Sequence, residues 1–91
     1  MNITMKPTVT SSEIEREFGI RVLDCPFTDQ VANDSYVTLW LDKNSVKALW
    51  EEINDCADEE RYVKRLKNEL ELINKFRELG YTEFILVFVS W

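Results

Sequence analysis

The chain has 91 residues, 45% hydrophobic and 31% charged, which predicts one globular domain over 1–91 and argues against disorder. With 2 glycines and 2 prolines it is neither collagen-like nor low-complexity, and with no histidine it lacks the commonest general base and metal ligand. Its net charge of -6 speaks against direct binding to nucleic acid or to anionic membranes, because both need a basic surface.

Residues 1–10 show no period and contain Pro7, so they read as an extended lead-in. They carry one lysine and no apolar run, unlike a secretory signal. A short helix is expected over 12–18. Ser12 and Glu15 have capping-box spacing, Ile14 and Phe18 share a face, and Gly19 suits a left-handed stop. This helix resembles the opening helix of a helix-turn-helix unit, but no recognition helix follows it. Ile20–Cys25 reads as a first strand, and 26–35 has loop composition. Tyr36–Leu41 is β-branched and aromatic, a second strand. Its alternation puts Tyr36, Thr38 and Trp40 on one face and Val37, Leu39 and Leu41 on the other, the better core face.

Asp42–Ser45 supplies caps for a helix whose apolar stripe is Val46, Leu49, Trp50 and Ile53. Residues 54–60 interrupt that stripe. It resumes at Tyr62, Val63, Leu66, Leu70, Ile73, Phe76 and Leu79, with Gly80 as a stop. One helix over 45–79 would reach ~50 Å, too long for so small a domain, so two helices with a turn near 55–58 and Asp58 as N-cap are expected. The run 84–89 is apolar on both faces, as in a central strand, and is far short of the ~20 residues of a membrane-spanning helix. The strand is expected to carry a packed tail to Trp91.

These elements predict an α+β domain: a three-stranded mixed sheet in order 1-3-2 packed against a helical hairpin, with a short N-terminal helix. The helical hairpin covers one sheet face. The short first helix, the N-terminal segment or a second subunit is expected to cover the other, since a large apolar patch is unusual on a monomer. Cys25 and Cys56, in a chain expected to be cytoplasmic, read as small buried hydrophobes.

The charge is uneven. Residues 51–60 hold Glu51, Glu52, Asp55, Asp58, Glu59 and Glu60 and no base, whereas 1–50 sum to -2 and 61–91 to +2. As a solvated turn, this cluster would stabilise the second helix N-terminus, with Glu60 paired to Lys64. As a functional element it would dock a basic groove on a partner. No glycine interrupts these carboxylates in the EF-hand manner, and no nucleophile motif, phosphate loop or paired-cysteine motif appears, so neither a metal, a cofactor nor an enzymatic role is expected. Tyr36 and Trp40 share the less surely covered strand face and are candidate binding anchors.

The expectation is a non-enzymatic binding module that blocks a basic, nucleic-acid-binding surface on a partner protein. In size and charge it is similar to small acidic inhibitors of phages and mobile elements, anti-CRISPR proteins among them. The alternative is a homodimeric structural or regulatory domain, such as an antitoxin or assembly subunit, that binds through its sheet face.

Overall fold

The computed structural model describes residues 6–90. In chain order the elements are β1 (Thr8–Thr10), α1 (Ser11–Phe18), two short 3-10 turns (Val22–Asp24 and Pro26–Thr28), β2 (Ser35–Trp40), α2 (Lys43–Asp55), α3 (Glu60–Glu78) and β3 (Phe84–Val89). The sheet has order β1-β3-β2, with β3 parallel to β1 and antiparallel to β2. The class, the mixed sheet, the central last strand, the helical hairpin and the short first helix are as expected.

The first strand is a different segment from the expected one. Thr8-Val9-Thr10 pairs with β3, and Val9 sits opposite Val87 with its side chain fully buried. Residues 20–25 instead close 3-10 turns, with the Asp24 N–H on the Arg21 carbonyl and the Cys25 N–H on the Val22 carbonyl, both at 3.0 Å. Their buried residues are Ile20, Val22 and Cys25, and Leu23 is exposed. That spacing belongs to a winding segment, and Pro26 brings no N–H to a ladder.

The same shift moves the first helix cap. Thr10, still extended as the last residue of β1, is the N-cap. Its hydroxyl accepts the Glu13 N–H at 3.1 Å, and the Glu13 carboxylate accepts the Thr10 N–H at 3.3 Å. The capping box is therefore Thr10–Glu13 and not Ser12–Glu15. Gly19 has φ 71°, the expected left-handed stop. The two long helices are separate, joined by a turn in which the Glu59 N–H bonds the Cys56 carbonyl at 2.8 Å. This contact makes Glu59 the boundary residue of α3, one position past the expected Asp58.

One core joins the helices to one sheet face. Leu49 and Ile53 of α2 and Leu66, Leu70, Ile73 and Phe76 of α3 pack with Val9, Leu39, Ile85, Val87 and Val89. Trp50 is the exception to the α2 stripe, 50% exposed. The inward line is Val46, Leu49, Ile53 and Cys56, with Leu49 and Ile53 buried and the two ends half-buried, and position 50 falls on its flank.

α1 belongs to this helical layer. Ile14 is fully buried, and the Phe18 ring meets the Phe76 ring edge-on at 5.3 Å between centroids. It therefore does not cover the second sheet face, because both of its apolar side chains are already spent on the first. The shortest extent of the molecule, 19 Å, accommodates one helix layer of ~10–12 Å over a sheet and no second layer. Arg65 clamps the winding segment to α3 through a fork onto the Asp29 carboxylate and a 3.3 Å bond to the Leu23 carbonyl. Arg77 likewise donates to the Leu41 carbonyl where β2 hands over to α2. The expected packing of Trp91, and the lead-in over 1–5, lie outside the described residues.

Candidate docking surface

Strand register builds the candidate site. Tyr36 faces Phe88, Thr38 faces Leu86 and Trp40 faces Phe84, and the period of two puts all six side chains on the sheet face away from the helices. Tyr36 is 62% exposed, Trp40 55% and Phe84 46%. The rings pair across the strands, Tyr36 with Phe88 at 5.0 Å and Trp40 with Phe84 at 5.5 Å. These three exposed rings alone present on the order of 350 Å2, given ~150–250 Å2 per aromatic side chain. That rivals the largest apolar patch of an ordinary monomer, ~300–600 Å2. None of the six side chains is charged, and among the described residues no element covers them. The sequence brought Tyr36 and Trp40 into question; the structure adds Phe84, Leu86 and Phe88 to the same surface.

Acidic groups stand at one end of this face. Asp42 and Glu83 line an open groove of about 490 Å3 with Trp40, Ser45 and Phe84. On the other side of Trp40, a cleft of about 210 Å3 runs between β2, α2, α3 and the Pro26–Thr28 turn, and Glu52 and Glu69 line it.

The six carboxylates of the 51–60 cluster sit together at one end of the helical hairpin. Glu51, Glu52 and Asp55 lie in the last turns of α2, Asp58 in the turn, and Glu59 and Glu60 where α3 begins. All six are exposed, and among the described residues none makes an ion pair. The anticipated Glu60–Lys64 pair is not formed. Glu52 accepts the Tyr62 hydroxyl at 2.7 Å, which pushes that phenol up to about 12. Glu52 and Asp55 occupy the last turn of a helix that has no basic residue there, where the dipole disfavours negative charge. Helix stability alone does not ask for that placement.

Sequence reasoning passed over Glu69. It is 8% exposed, and one carboxylate oxygen accepts the Phe27 N–H at 2.7 Å. Burial pushes its pKa up, with the Phe27 bond opposing. The available signal was its place within the Leu66, Leu70, Ile73 stripe, where an acid interrupts a core line.

Cys25 is fully buried, and burial, with Glu69 and Asp24 nearby, pushes its thiol up to about 12. Cys56 is only half-buried, and both thiols are free. Among the described residues no group of three or more metal-ligating side chains comes together, and no helix is long and apolar enough to cross a membrane. No family model matches the chain, and no curated protein or solved structure matches it either.

Proposed function

We propose that the protein is a non-enzymatic binding module that holds a basic partner protein against its open sheet face. The observation behind this is a charge-free aromatic surface that no described element covers, bordered by carboxylates that make no ion pair among the described residues. Half-exposed Trp and Tyr rings are effective anchors because a partner removes their remaining area from water without ordering long side chains. Asp42, Glu83 and the 51–60 cluster add a negative field that attracts and orients a basic surface and repels an acidic one. Nucleic-acid-binding proteins carry such basic surfaces, so occupying one would make this chain an inhibitor. Size and charge are all that link it to phage and mobile-element inhibitors such as anti-CRISPR proteins.

A second reading is favoured by one observation. The six face residues carry no charge, so two copies of the sheet could meet there as a homodimer. Against this, the two copies would each bring a net charge of -6.

The test is capture from cell extract by the immobilised protein at low and high salt, with light scattering of the protein alone. A monomer that retains basic proteins, and loses them with Trp40→Glu, is the expected result. Reversing Glu52, Asp55, Asp58 and Glu59 to lysine should weaken capture most at low salt, where charges are least screened. Capture indifferent to Trp40→Glu refutes the proposal, and a dimer that Trp40→Glu dissociates establishes the second reading in its place.

A further inference from the structure

We propose that the cleft beside Trp40 is a subsite for one cationic side chain, an arginine or lysine of the partner, with the Glu69 carboxylate as its counter-ion. This rests on the partner being basic, and it names the group that would be recognised and the place.

Glu69 carries the inference. It is more than nine-tenths buried, yet only one of its carboxylate oxygens is bonded, to the Phe27 N–H at 2.7 Å. The second oxygen has no hydrogen-bond partner among the described residues. Among the described residues no unbonded side-chain oxygen or nitrogen is wholly shut away from solvent, and Glu69 lines the cleft, so this oxygen is reached through it. An oxygen open only through a narrow cleft has room for few waters, and a charge-assisted donor makes a stronger bond to it than a neutral one.

Among the described residues none supplies that donor. The Arg65 guanidinium acts on Glu69 from a distance, but its hydrogen bonds go to Asp29 and the Leu23 carbonyl. Asp29 is balanced by Arg65, which leaves Glu52 as the nearby negative group that makes the site more receptive to a cation.

The walls suit an amphipathic cation. Phe27, Leu39, Leu49 and Ile73 would take an aliphatic stem, and Glu52 adds a second carboxylate. A cavity of about 210 Å3 is smaller than the ~300–1,000 Å3 typical of small-molecule pockets and suits a single side chain. Among the described residues no group of three or more metal-ligating side chains gathers at this cleft.

The test uses the isotopically labelled protein and two small probes, N-acetyl-arginine amide and the neutral, similarly shaped N-acetyl-citrulline amide. The arginine probe should shift the backbone amides of Phe27, Leu39 and Trp40 saturably, in the millimolar range expected for one side chain. The citrulline probe should bind at least about tenfold more weakly. Glu69→Gln preserves an acceptor for the Phe27 N–H, so the fold persists while the affinity for the arginine probe falls by about tenfold or more. Equal response to the two probes overturns the proposal, as does unchanged arginine binding by Glu69→Gln. If the titration fails while Trp40-dependent capture of a basic partner stands, the subsite is refuted and the docking face is not. If capture fails while the titration succeeds, the reverse holds.

Discussion

Two phenylalanines on opposite sides of the sheet give a quantitative test of which face is covered. Phe76 is fully buried and meets Phe18 at 5.3 Å and Tyr81 at 5.6 Å, both edge-on. Phe76→Ala removes a complete aromatic burial and both ring contacts, about 3–5 kcal/mol. For a domain of this size that lowers Tm by ~12–40 °C, at ~4–8 °C per kcal/mol. Phe84 lies on the open face and keeps 46% of its surface in water. About half of the ~1.5–3 kcal/mol of a full burial is at stake there, with less than ~1 kcal/mol from its cross-strand contact with Trp40. Phe84→Ala should therefore cost only about 1–2 kcal/mol. Urea unfolding followed by circular dichroism measures both, and equal slopes would show that the unfolded states are comparable. If Phe84→Ala costs as much as Phe76→Ala, the second face is covered in solution, by a second copy or by another part of the chain, and the docking surface argued above does not exist in the free protein.

Other substitutions probe single contacts. Burial raises the pKa of Glu69 above its ordinary value of 4.5, so the wild-type fold prefers the protonated acid and loses stability as the pH rises from there. Glu69→Gln should then be the more stable protein at pH 7, with the gap closing in acid; a variant less stable at pH 7 would contradict this. The Arg65 fork holds Asp29 below its ordinary 3.8, the opposite sign. Its contribution is present above that value and fades as the pH falls through the lowered pKa, so Asp29→Asn should flatten the acid limb of the stability curve. Iodoacetamide should alkylate Cys56 well before Cys25, and Cys25 only at the rate of unfolding; peptide mass mapping of a time course decides it. Gly19 has open space around its Cα and φ 71°, so Gly19→Ala should cost about 1–2 kcal/mol from backbone strain alone, measured by thermal melting.

Long-period patterns were legible before the structure. The break between α2 and α3, the central position of Phe84–Val89 and the two faces of Tyr36–Trp40 all follow from apolar spacing, which burial enforces over many residues. Short segments were not. Thr8–Thr10 is a strand because β3 is there to pair with, and three residues carry no period of their own. Ile20–Cys25 has strand composition but bonds to itself, since the edge of β3 it might have taken is held by β1. The acidic cluster was plain in the sequence, as were two of the exposed rings. Their setting was not: Phe84 joins Trp40 only through the sheet register, and the isolation of Glu69 depends on Arg65 having turned to Asp29.

A photo-crosslinking amino acid placed at position 40, or separately at position 58, of the full chain in the cells that express it tests the docking face most directly. A discrete crosslinked partner from position 40, abolished when Phe84 is changed to glutamate, is the predicted result. Crosslinking from position 58 alone, with position 40 silent, would put the contact at the helix junction and contradict a sheet-centred interface.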